Sequence, residues 1–183
     1  MFATDILRKE HDVILKMLDA TDTVGRKLMR GENVSRDTLN GLLEFSRLFA
    51  DRCHHGKEEE FLFPLLEKKG IPRGGGPIGI MLSEHGRGRE LIHEMELASS
   101  QFQNSPEASG RRWAQAAMEY SDLLREHIAK ENDILFEMAD SLLSNEEQER
   151  LAREFERFEI QNMGAGTHER LHSRMNQLLK EIG

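Results

Sequence analysis

A chain of 183 residues with 38% apolar and 32% charged side chains, four prolines, one Trp and one Tyr has the balance of one amphipathic, mostly helical domain around a single core. Its formal charge of −8 excludes a general nucleic-acid surface, and Arg111-Arg112 is too short a basic run to restore one. A single cysteine, Cys53, excludes an internal disulfide; no apolar run of about 18 residues offers a membrane span, and Met1-Phe2-Ala3-Thr4-Asp5 lacks the start of a secretory leader, so the expected location is the cytoplasm.

Thr4 or Asp5 is placed to cap a first helix running to about Arg30, whose inward side carries Ile6, Leu7, Ile14, Leu15, Leu18 and Val24. Gly31-Glu32-Asn33 ends it. Ser35, with Asp37 in the first turn, starts a second helix that carries Leu39, Leu42, Leu43, Phe45, Leu48 and Phe49 and continues to Leu66. Pro64 lies inside this pattern, where the missing N–H should kink or loosen the helix. The run from Gly70 to Pro77 is the strongest break in the chain and the segment expected to move most; Pro77 suits the first position of a third helix, about 77–102. Asn104-Ser105-Pro106 reads as a turn, a cap and a first-turn proline opening a fourth helix of roughly 106–140. Ser144-Asn145-Glu146-Glu147 is a capping box, and the Arg- and Glu-rich segment after it breaks at Gly164-Ala165-Gly166 before a last helix from Thr167 to Glu181. Strand-like alternation and repeats of 20–50 residues are both missing. The expected fold is all-α: an up-down four-helix bundle over residues 1–143 and a C-terminal helical appendage, 144–183, packed on the same domain.

Four segments put a histidine where a helix turns its apolar side inward: Leu7-x3-His11-x2-Ile14, His54-His55-Gly56-Lys57-Glu58-Glu59, Ile78-x2-Met81-x3-His85 and His127-Ile128-Ala129-Lys130-Glu131. Residues four apart share a helical face, so His54 with Glu58, His55 with Glu59 and His127 with Glu131 can each offer an imidazole and a carboxylate to one point. His11, His85 and His127 fall near the midpoints of antiparallel helices, which brings them to one level, and bare imidazoles buried there would cost roughly 1–3 kcal/mol each. Imidazole and carboxylate without thiolate suit iron, manganese or zinc, and the donors are more than one ion needs. Periodicity leaves open whether the His54/Glu58 stripe or the neighbouring His55/Glu59 stripe faces the metals. Tyr120, Leu124, His127, Glu131 and Ile134 step along one face; Tyr120 is expected to pack in the core, with a place near the metals as the alternative. Arg89, one turn after His85, either pairs with a carboxylate near the site or reaches solvent, and solvent is the expectation. Asp12, Glu84 and Glu126 adjoin candidate ligands but point off their faces, so no residue is assigned to orient the imidazoles.

These motifs resemble the hemerythrin-like family, the HHE cation-binding domains, over about residues 5–140. The resemblance is carried by Glu10-His11-Asp12, His54-His55-x2-Glu58-Glu59-x2-Leu62-Phe63-Pro64, Glu84-His85 and Glu126-His127-x3-Glu131. It implies a four-helix bundle holding two iron ions in a non-haem centre. The family pattern falls on His54 and Glu58, which implies terminal ligands His11, His54, His85 and His127, bridging Glu58 and Glu131, and His55 as a further ligand. Oxygen-carrying members have a second histidine where this chain has Arg89, and an aspartate where it has Asn132, with Glu131 one place earlier. The ligand set is more similar to that of iron-cluster repair and iron-sensing members. The function this implies is binding of oxygen, nitric oxide or peroxide in a stress response or in iron handling. The alternatives are a metal-occupancy sensor or iron-storage module without turnover, with residues 144–183 and their His168 and His172 as the readout, or a zinc-filled structural bundle. The expected partners are a small diatomic ligand or peroxide and, in a homodimer, a second copy; nucleic acid and membrane are not expected.

Overall fold

The structure is a computed structural model that describes residues 1–164 and 166–182, with the backbone alone for Met163, His168 and Glu169; Ala165 of the predicted break and the His168 side chain therefore lie outside the described residues. It is all-helical. α1 spans Ala3–Met29, and α2 runs from Arg36 to Lys68. α3 spans Pro77–Gln101, α4 runs from Pro106 to Leu142, α5 spans Asn145–Met163 and α6 Thr167–Ile182. The first four form the bundle, with α4 packed along α1 and α3; α5 and α6 lie against α1 and α2. No helix among the described residues is long and apolar enough to cross a membrane.

The caps explain where the helices begin. α1 starts two residues before Asp5 because the Asp5 carboxylate reaches back to accept the Phe2 N–H at 3.0 Å, while Gln148 of α5 accepts from the Ala3 and Thr4 N–H groups. Thr4, instead of capping, donates to Asp140 of α4 at 2.6 Å. Ser35 caps α2 through the Thr38 N–H, and Ser144 and Glu147 form the capping box of α5. Ser105 makes no side-chain cap, and α4 opens on Pro106 alone.

Two helices depart from α geometry, and they do so at the candidate ligands. α2 is π-helical over Ser46–His55 and again over Glu58–Leu62; α4 is π-helical over Glu131–Leu135. Such turns bond i to i+5 and concentrate at functional sites. The second π turn of α2 also accommodates Pro64, which falls in the first turn of the α-helical stretch Phe63–Lys68, so the helix continues through it. In α4 the wider turn carries Ile134 out to solvent and brings Leu135 into the core, which corrects the single α-helical stripe expected there.

Two apolar cores result, with the polar side chains between them. Ile14, Phe49, Leu91, Leu124 and Ile128 belong to one core; Leu7, Leu62, Met81 and Leu135 belong to the other. On each bundle helix the candidate ligands fall between a member of the first core and a member of the second. α2 also carries two glycines where the last helices close in. A Cβ at Gly41 would lie 2.8 Å from Leu178 of α6, and one at Gly56 would lie 2.7 Å from the Phe158 ring of α5.

The bundle is a repeat of two helical pairs, longer than the periods of solenoid proteins. Leu7-x2-Glu10-His11 on α1 returns as Met81-x2-Glu84-His85 on α3. His54-x2-Lys57-Glu58-x3-Leu62-Phe63 on α2 returns as His127-x2-Lys130-Glu131-x3-Leu135-Phe136 on α4. Both π turns open on the repeated glutamate.

Candidate metal centre

His11, His54, Glu58 and Glu131 offer donor atoms that all lie within 4.8 Å of one another, and so do His85, His127, Glu58 and Glu131. All six residues are buried, the two glutamates completely. The two groups thus share both carboxylates.

The outer nitrogen of each ring is held by an oxygen. His54 Nδ1 lies 2.9 Å from Glu10 Oε2 and His127 Nδ1 2.9 Å from Glu84 Oε2; His85 Nδ1 lies 2.7 Å from Glu59 Oε1 and His11 Nδ1 2.9 Å from Asn132 Oδ1. These oxygens only accept, so Nδ1 donates and the lone pair sits on the inward Nε2. The inward nitrogens then face each other, His54 to His11 at 2.9 Å and His85 to His127 at 3.1 Å. Two lone pairs make no bond at that distance; an electron-pair acceptor between them removes the conflict.

The carboxylates divide themselves between the pairs. Glu58 turns Oε1 to His54 and Oε2 to His85, both at 3.5 Å; Glu131 turns Oε2 to His11 at 3.2 Å and Oε1 to His127 at 3.3 Å. None of these four buried oxygens has a hydrogen-bond partner. Burial and the facing Glu131 push the Glu58 carboxyl well above the usual range, because two bare carboxylates so placed do not both stay ionised. A divalent cation in each pair reverses that. The residues therefore fit two metal ions: the donors are hard or borderline, neutral imidazole is the binding form, and burial with the neighbouring His11 lowers His54 to about 4.

His55 adds a fifth imidazole on one side. Its ring stacks on His85 with centroids 3.8 Å apart, its donor lies within 4.8 Å of those of His85 and His127, and Asp51 holds its Nδ1 at 3.4 Å. The same position in the second half is Ile128. Arg89, expected to reach solvent, instead spans Asp51 at 2.8 Å and Glu59 at 2.6 Å, closing an ionic cap over His55 and His85. The Arg89 side chain keeps 44% exposure even so.

Lysines support two of the outer, ring-orienting carboxylates. Lys57, 1% exposed, bonds Glu10 and reaches Glu159 of α5 at 3.0 Å; Lys130, 36% exposed, bonds Glu84. Burial pushes the Glu10 carboxyl up, but the hydrogen bond from His54 and the Lys57 charge outweigh it and hold it at about 2. Glu10, Cys53 and Glu159 also meet donor criteria for a metal, yet the Lys57 ammonium already acts on all three. Burial pushes the Cys53 thiol up to about 12, which keeps it protonated.

All seven sequence-predicted residues, His11, His54, His55, Glu58, His85, His127 and Glu131, are thus brought to one layer. Tyr120 packs in the core as expected, and His172 of α6 lies edge-on to Phe49. The sequence left Glu59 open as a metal ligand and gave none of Glu10, Glu59, Glu84 and Asn132 the ring-orienting role that the structure gives them. Glu84 does orient a ring, that of His127 on the neighbouring helix. The signal was present in the repeated Glu-His pairs and in the repeated Lys before each ligand glutamate.

The profile of the hemerythrin HHE cation-binding domain matches residues 3–139, the stretch that supplies every one of these side chains. Over 140 residues the chain is 31% identical to the iron-sulfur cluster repair protein DnrN of Neisseria gonorrhoeae, covering 72% of this chain and 85% of that protein. It is 35% identical over 88 residues to the iron-sulfur cluster repair protein YtfE of Escherichia coli, which covers 47% of this chain and 40% of YtfE. An uncharacterised protein of Mycobacterium tuberculosis is 23% identical over 181 residues, 99% of this chain and 70% of that protein. No solved structure matches.

Proposed function

Because the chain belongs to the hemerythrin HHE cation-binding family, we propose that it is a non-haem di-iron protein in which Glu58 and Glu131 bridge two iron ions. His11 and His54 serve one position, His85 and His127 the other, and His55 joins the second. The observation that carries this reading is the division of each carboxylate, one oxygen to each histidine pair, with all four oxygens otherwise unpartnered. Iron held by these residues would supply the chemistry for binding a small ligand such as oxygen, nitric oxide or peroxide.

The protein's own part is to hold and shield. Glu10, Glu59 and Glu84 accept from Nδ1, which fixes each ring and makes its inward nitrogen a better donor. Phe136 stacks on His11 with centroids 5.3 Å apart and Phe63 on His85 at 5.9 Å, so an apolar floor keeps water from that end. Two relatives are named for iron-sulfur cluster repair; by that likeness the role proposed here is cytoplasmic iron handling under nitric oxide or peroxide stress. One observation favours a sensor as the second reading. The path from His54 through Glu10 and Lys57 to Glu159 joins the metal layer to α5, so occupancy can be felt there.

Metal content and the ultraviolet–visible spectrum of protein purified without oxygen, before and after air, peroxide and nitric oxide, test this. About two irons per chain, as a shared-carboxylate bundle site holds, with a band that responds to one of these ligands, is the expected result. Zinc in place of iron, or one ion only, would sink the di-iron assignment; two irons with an inert spectrum would select the sensor.

A further inference from the structure

All seven proposed ligands are at most 3% exposed, so an arriving ion must pass the side chains that surround them. Three surface cavities end on the network that orients the rings, and their charges differ. The one under α5, about 630 Å³, ends on Lys57, whose ammonium holds Glu10 and Glu159 and repels an incoming cation. The one beside the ionic cap, about 440 Å³, ends on Glu59; Arg89 ties that carboxylate to Asp51, and Arg47 and Arg52 stand in the walls. The third, about 500 Å³, ends on Glu84 of α3. Its other walls are Ile80, Ser83 and four glycines of the Gly70–Pro77 break and the first turn of α3, so Glu84 is the single charge among its lining residues.

We propose that this third hollow is the port through which a divalent metal ion enters the centre, with Glu84 as the carboxylate that meets it. The inference rests on the two-metal reading of the site. Lys130, the cation that pairs with Glu84, has a side chain 36% exposed, and a solvent-screened pair of that kind is weak. A divalent ion carries twice the charge and displaces the ammonium into water. Lys57, its counterpart, is 1% exposed and sealed under α5. Glu84 Oε2 lies 2.9 Å from His127 Nδ1, so the same carboxylate holds a ligand ring. Once an ion takes its place on Glu84, the His127 ring is free to turn and offer a nitrogen to it. The glycine walls put no side chain across this path, and a Cβ at Gly74 would meet nothing within 4 Å. The chain's net charge of −8 draws cations towards it.

Stopped-flow loading of the metal-free full chain with cobalt(II) at low ionic strength, followed by its ligand-field absorption, tests the port. Ser83→Lys, which adds a positive charge at the mouth, should slow loading about 3–10-fold, and Ser83→Glu should speed it, both with the parent's final cobalt content and helicity. Gly74→Trp, which fills the hollow, should slow loading and removal by a chelator alike. Glu60→Gln makes the same unit change of charge as Ser83→Lys, but at the Arg89 cavity, and should keep the rate within about twofold of the parent's. Unchanged rates in Ser83→Lys and Gly74→Trp with normal final loading would overturn the port and leave the metal reading standing. Equal slowing by Glu60→Gln would overturn it too, since net charge alone would then set the rate. A parent that takes up no cobalt(II) would overturn both the port and the metal reading.

Discussion

The pair α1/α2 and the pair α3/α4 carry the same donors in the same order, yet they are sealed differently. On the first pair the lysine behind the ring-orienting glutamate is buried under α5 and tied to Glu159; on the second, the equivalent lysine reaches solvent. The second imidazole of α2, His55, has Ile128 opposite it, and the ionic cap of Asp51, Glu59 and Arg89 has Leu124, Asn132 and Leu15 in its place. Equal donors in unequal surroundings teach that the repeat specifies the metal layer, while the C-terminal helices and a few substitutions make its two sides distinct.

The largest effect should come from what the two halves share. Glu58→Gln with Glu131→Gln is expected to take metal content from about two ions per chain to none. Metal analysis reads this effect; two ions retained in this variant would end the bridging assignment.

The difference between the halves is tested by their lysines. Lys57→Met leaves Glu10 buried without its cation and should cost about 3–5 kcal/mol in urea unfolding. Lys130→Met, at a solvent-screened pair, should cost under about 1 kcal/mol. Equal losses would show that α5 does not distinguish the two sides.

A smaller effect is a pH dependence of the metal-free protein. Folding lowers His54 from 6.5 to about 4, through burial and then His11. Between those values the unfolded chain takes the proton first, so stability is full above about pH 6.5 and falls as the pH drops towards 4, by at most ~1.4 kcal/mol per pH unit. His54→Gln should flatten that slope, and denaturant titrations at a series of pH values measure it. An unchanged slope would place the titrating group elsewhere.

The sequence made the ligand layer legible because each ligand obeys α periodicity with its own helix: His54 with Glu58 and His127 with Glu131 lie one turn apart. Glu10, Glu59, Glu84 and Asn132 break no local rule. Each stands next to a ligand in the chain and therefore off its face, and each finds a ring on a different helix, a relation that periodicity within one helix does not contain. The π turns were hidden for a related reason. A pattern counted in steps of three and four puts Ile134 inside, and only the widened turn puts Leu135 there instead. Lys57 carries no sign of burial until α5 covers it, and Gly56 no sign of use until Phe158 arrives.

Neither half of the chain completes a metal position alone. In the proposed centre the first position takes three donors from its own helical pair and a Glu131 oxygen from the other, while the second takes three of its own with Glu58 and His55 lent by the first. Two ions bound as proposed would strap the beginning of the chain to its later half, much as a removable cross-link does. Ligand binding to the folded state alone stabilises it in proportion to the logarithm of free ligand, so the strength of that strap would follow the iron supply. A cell poor in iron would hold the same polypeptide in a looser, more protease-sensitive form.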